Sequence, residues 1–185
     1  MSDTNSDHEF PNPLEHASDK GIPLSGEPLR LLRGHAGDDK PGGLTLVLMH
    51  LTSDGDAEGV IERAREVMLR LAHLPLSAFS DLSAADNLPS WFTQAFAPEP
   101  ADGVIDLQDE RWPMSGWLYW MDPDQRPWRW WDTAIQDPNH ATVRFGISDW
   151  PPPVGALEWL LTACGATSVE YSETEDTHPR KQSRS

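Results

Sequence analysis

The stretch QRPWRWWDTAIQ, Gln125 to Gln136, sets three tryptophans around one arginine and follows them with an aspartate. Its aromatic and β-branched residues favour a strand, and the turn dipeptides Asp122-Pro123 and Asp137-Pro138 bound it on either side. A strand over 128–136 has a side-chain period of two, so Trp128, Trp130, Asp132 and Ala134 are expected on one face. Arg129, Trp131, Thr133 and Ile135 fall on the other. On that reading the three rings do not form one continuous platform.

The neighbouring segments extend the pattern. GWLYWM (116–121) and ATVRFGIS (141–148) flank the stretch across turn-rich links, and all three together read as an antiparallel meander. Upstream, GLTLVLMHL supplies a continuous apolar run near 44–50, the signature of a central strand covered on both faces. Asp56 stands where it would cap a helix over 57–74, whose Val60, Ile61, Ala64, Val67, Met68, Leu71 and Leu74 recur at helical spacing until Pro75. A shorter helix is predicted over 89–97 and a brief strand over 104–107. A helix over 153–164 has Pro153 at its start and Gly165 at its end, and a last strand follows over 167–171. The order β-α-α-β-β-β-α-β gives an α+β fold, with one mainly antiparallel sheet packed by helices. Residues 1–28 and 173–185 have few groups to bury and read as disordered or loosely packed tails around a single globular domain at 29–172.

Charge narrows the function classes. The net charge is −16; residues 1–28 contribute −5 and residues 173–185 nothing, which leaves −11 on the body. Residues 81–158 carry thirteen acids against Arg111, Arg126, Arg129 and Arg144. Such a surface repels phosphate backbones and anionic lipid, so neither nucleic acid nor membrane is an expected partner, whereas a basic protein is. No run approaches the roughly 18 apolar residues of a membrane span, and no secretory signal is seen. Cys164 is the only cysteine, which excludes an intrachain disulfide and a thiolate metal cluster, and it falls on the apolar stripe of its helix as an inert thiol. A cytoplasmic setting is the expectation, and no cofactor or metal is expected.

Two sets of residues stand out. Asp122 and Asp124 are exposed by turn geometry, with Trp128, Trp131, Asp132 and Trp150 nearby, and this set is the expected partner-binding surface. Aromatic anchors among acids suit a basic partner, the charge supplying on-rate and the rings residence time. The alternative is an enzyme or ligand-binding pocket walled by Trp117, Trp128 and Trp130, with Asp132 working beside His50 or His140. A third reading is a structural subunit whose aromatic face pairs with itself. His50, Asp54 and Asp56 have ligand-type side chains, but their spacing fits no metal template and suits a helix cap as well.

In size, acidity and Trp-rich α+β pattern the chain resembles the immunity proteins with which bacteria neutralise polymorphic toxins. That resemblance implies an inhibitor that occludes a basic partner such as a toxin domain. It carries no site residues over, because it rests on overall character and not on a motif.

Overall fold

The computed structural model describes residues 26–37, 42–100, 111–148 and 154–173. They form an α+β fold around one antiparallel sheet of β1 (Thr45–Thr52), β2 (Trp128–Asp137), β3 (His140–Ile147) and β4 (Ser168–Glu173), in spatial order β2-β3-β1-β4. The helices are α1 (Glu27–Arg33), α2 (Ala57–Ala72), α3 (Ser77–Ser80), α4 (Ser90–Thr93), α5 (Met114–Met121) and α6 (Gly155–Ala163), with a 3-10 turn at Ser83–Asn87. The expected strand over 104–107 and Trp150 lie outside the described residues.

β1 is amphipathic, where its apolar run had suggested a strand buried alike on both faces. Val47, Met49 and Leu51 are buried opposite Phe145, Val143 and Ala141. Leu46, Leu48, His50 and Thr52 alternate onto the outer face, where Leu46 and Leu48 are only half-buried. The inward set joins α2's stripe of Val60, Ile61, Ala64, Val67, Met68 and Leu71 in one core. α2 lies against β2 and β3, and α6 packs against both α2 and β4. Burying each large apolar side chain contributes roughly 1.5–3 kcal/mol, so this shared face is the main source of stability.

A β-bulge overturns the simple alternation expected for β2. Trp130 pairs with Phe145 and Asp132 with Arg144, so Trp131 is an extra residue on its strand. Cross-strand partners share a face, so Trp128 and Trp130 join the core opposite Ile147 and Phe145. Beyond the bulge the phase reverses: Thr133 and Ile135 follow the core side, opposite Val143 and Ala141, and Asp132 moves to the outer face. Trp128 and Trp130 therefore do not share a face with Asp132.

The segment 116–121 is a helix, not a strand. Pro113 holds an extended conformation immediately before α5, and Trp117, Leu118 and Met121 share its buried side. Aromatic content alone favoured a strand, but the spacing of these three positions is helical, and burying them together decides the outcome. The helix expected over 89–97 is reduced to α4, after which Ala97 bridges to Pro113. The tryptophan-rich character resolves here into a core cluster: Phe92, Phe96, Trp117 and Trp159 have ring centroids 4.3–5.8 Å apart. The Trp117 indole N–H donates to the Ala156 carbonyl at 3.0 Å.

α1 begins two residues inside the expected tail and covers the free edge of β2. The Glu27 carboxylate accepts the Trp130 backbone N–H, and the Arg30 Nε donates to the Trp130 carbonyl at 3.2 Å. Arg30 also lies 4.2 Å over the Trp131 ring, which buries the bulge residue. Edge groups that would template another strand are thereby occupied. Arg65 on α2 holds the far end of α1, donating to the carbonyls of Leu31 and Leu32 at 2.6 and 2.9 Å. Gly34 then ends the helix at φ +78°, a left-handed conformation that costs glycine little.

Candidate partner-binding surface

Burying Trp117, Leu118 and Met121 turns the opposite side of α5 to solvent. There Tyr119 is 55% exposed and Trp120 38% exposed. Their rings meet edge to face at 5.3 Å. The Tyr119 hydroxyl donates to the Gln125 side-chain carbonyl at 3.4 Å. The parts of these two rings left in water are apolar area available to a partner.

Two carboxylates follow at once. Asp122 ends α5, its backbone N–H donating to the Leu118 carbonyl at 3.0 Å. Its Oδ1 accepts the Asp124 N–H at 2.8 Å, and its carbonyl accepts the N–H groups of Gln125 and Arg126. The turn presenting the acids is thus held by its own hydrogen bonds. α5 has no basic residue in its last turn, and the C-terminal end of a helix carries partial negative charge. Two acids placed there are electrostatically unfavourable.

The neighbouring cations form no ion pair with them among the described residues. Arg126 is buried and pairs with Glu27 at 2.5 Å, its guanidinium 4.5 Å over the Trp128 ring. Burial lowers its pKa from the usual arginine value, and Glu27 opposes that shift. Arg129 folds back and donates to the carbonyls of Pro123, Arg126 and Trp128, which braces the turn. Among the described residues Asp122 and Asp124 have no ion-pair partner.

The other residues singled out from the sequence are placed differently. Trp128 and Trp131 are buried, so neither ring is offered to a partner. Asp132 is buried in a two-point ion pair with Arg144, whose Nε reaches Oδ1 at 2.5 Å and whose Nη2 reaches Oδ2. The hydrogen bond from that carboxylate, helped by its charge, raises the pKa of Arg144 against the opposing effect of desolvation.

The alternative pocket does not assemble. Trp117 and Trp130 are fully buried in the core, away from the outer face that carries Asp132. His50 lies on that outer face, its Nδ1 3.2 Å from the Thr142 hydroxyl and its Nε2 3.1 Å from the Ser172 hydroxyl. Gln136 donates to the same Thr142 oxygen at 2.6 Å, so a polar row crosses all four strands. His140 opens β3 with its Nδ1 2.9 Å from both Asp137 oxygens, and the His140 hydrogen bond is the main reason Asp137 has a lowered pKa. Asp56 pairs with Arg63 at 2.9 Å.

Tyr119 and Trp120 were missed because a strand reading of 116–121 put Trp117, Tyr119 and Met121 on one side. The signal that finds them is Pro113 followed by apolar residues at 114, 117, 118 and 121. Comparison with protein-family models, with curated proteins and with solved structures returns no match.

Proposed function

We propose that this chain is an acidic protein-binding module that occludes a basic partner, as an immunity or inhibitor protein does a bacterial toxin domain. The observation that carries this reading is the exposed Tyr119–Trp120 pair running directly into Asp122 and Asp124 at the negative end of α5. Aromatic anchors beside unneutralised acids suit a partner that brings a lysine or arginine cluster and an apolar contact of its own. A cation docked there relieves the repulsion between the acids and the helix end. Self-association through this surface is disfavoured, because a two-fold contact crowds the same carboxylates against their copies.

The reading is tested by capture at low ionic strength with three proteins: wild type, Tyr119→Ser with Trp120→Ser, and Asp122→Asn with Asp124→Asn. A basic protein retained by wild type and lost from the aromatic variant is expected, with weaker retention by the amide variant. Equal retention by all three removes this surface from the interface. Both double variants alter exposed or turn positions, so their melting temperatures should stay close to wild type.

A further inference from the structure

A second concavity lies apart from the α5 surface. On the outward flank of α6, Gly155, Glu158, Trp159 and Thr162 face Arg111 and Trp112 across an open cleft of about 430 Å³. Small-molecule sites span about 300–1,000 Å³ and pair apolar walls with a few polar groups. Trp112 lies directly over the start of α6: a Cβ on Gly155 would stand 3.4 Å from its ring. Trp159, tilted against Phe96 at 4.3 Å, is held rigidly by the core cluster.

Glu158 gives the cleft its chemistry. It is half-buried on the first turn of α6, and among the described residues no cation pairs with it. Burial raises its carboxyl pKa. A carboxylate held partly out of water with no ion-pair partner among the described residues is stabilised by a cation that enters beside it. Arg111 is exposed and already has a contact of its own.

We propose that this cleft binds a small molecule carrying a quaternary ammonium head, with Glu158 as counter-charge and Trp112 and Trp159 as aromatic walls. The lining favours that cation over a primary amine. Of the six residues named, the Glu158 carboxylate and the Thr162 hydroxyl, which donates to the Glu158 carbonyl at 3.0 Å, offer side-chain acceptors. An ammonium with three N–H groups is strongly hydrated and must shed water to meet the rings. A quaternary ammonium has no donor to satisfy, is weakly hydrated, and is attracted to indole rings.

The test is calorimetric titration with three probes: choline, its neutral isostere with carbon in place of nitrogen, and a primary alkylamine of similar size. Saturable one-to-one binding of choline is expected, with the isostere and the amine at least about tenfold weaker. Glu158→Gln should weaken choline by a similar factor, and Trp112→Leu should weaken it while preserving apolar contact. Thermal melts show that each variant is folded; Glu158→Gln only removes a partly desolvated charge. No saturable choline binding, equal binding of choline and isostere, an amine as tight as choline, or indifference to Glu158→Gln would each overturn the proposal.

Discussion

Single side chains here are governed by what surrounds their charge. Glu27 is the clearest case, because its two oxygens serve both the Trp130 backbone and the buried Arg126 guanidinium. Removing one member of a buried pair strands the other, so Glu27→Gln should cost about 3 kcal/mol. Urea denaturation measures it, and a loss below about 1 kcal/mol would contradict the pairing. Glu158 is the opposite case. Its native pKa lies above its unfolded value, so its ionisation is harmless at low pH and destabilising once pH rises through that raised pKa. Glu158→Gln should match wild type in acid and exceed it in stability at neutral pH, with Arg111 the other charge lining the cleft in both proteins. Parallel stability curves across pH would show that Glu158 is not desolvated. Cys164 was legible as a buried thiol from its place on the apolar stripe of 153–164. The structure agrees, with burial pushing its pKa up to about 12. The Asp132–Arg144 pair was only partly legible: an acid among apolar residues demands a cation, but which arginine supplies it depends on strand register.

At the scale of elements, legibility depended on how many residues shared one period. α2 was readable because seven apolar positions repeat at helical spacing, and the observed helix ends at Ala72, two residues short of the expected end. α5 was not, because six residues of Trp, Tyr, Leu and Met suit a strand by propensity and a helix by spacing, and burial of Trp117 against Phe92, Phe96 and Trp159 selects the helix. The bulge at Trp131 has no sequence mark of its own. It follows from two demands on β2: burying Trp128 and Trp130, and pairing Asp132 with Arg144 on the other face. α1 makes that compromise tolerable by covering the strand edge at Trp130. A chain lacking residues 1–33 should therefore lose stability and self-associate through the uncovered edge of β2. Light scattering against concentration reads this, and a monomer at all concentrations would mean that α1 does not guard the edge.

For the described residues as a whole, one sheet face is packed by helices and the other carries a polar row of Gln136, Thr142, His50 and Ser172. Among the described residues no helix is long and apolar enough to cross a membrane. The α+β class could be read from the sequence because the elements punctuate clearly. Which aromatics remained outside could not, since that depends on the geometry of a bulge and of one short helix. Because Cys164 sits inside the shared core, native protein should resist thiol reagents at mildly alkaline pH and label only at the rate of opening. Fast stoichiometric labelling without denaturant would show that the α6 region opens independently.

The central claim is that the acids following α5 steer a basic partner onto Tyr119 and Trp120. It is tested most directly by the association rate constant of the captured partner across a range of salt, for wild type and for Asp122→Asn with Asp124→Asn. Exposed charges are screened over about 10 Å at 0.1 M salt, so steering should fade as salt rises. The wild-type rate should fall steeply with salt, and the variant should associate more slowly with a flatter salt dependence, with dissociation little changed. Identical rates and identical salt slopes for the two proteins would contradict it.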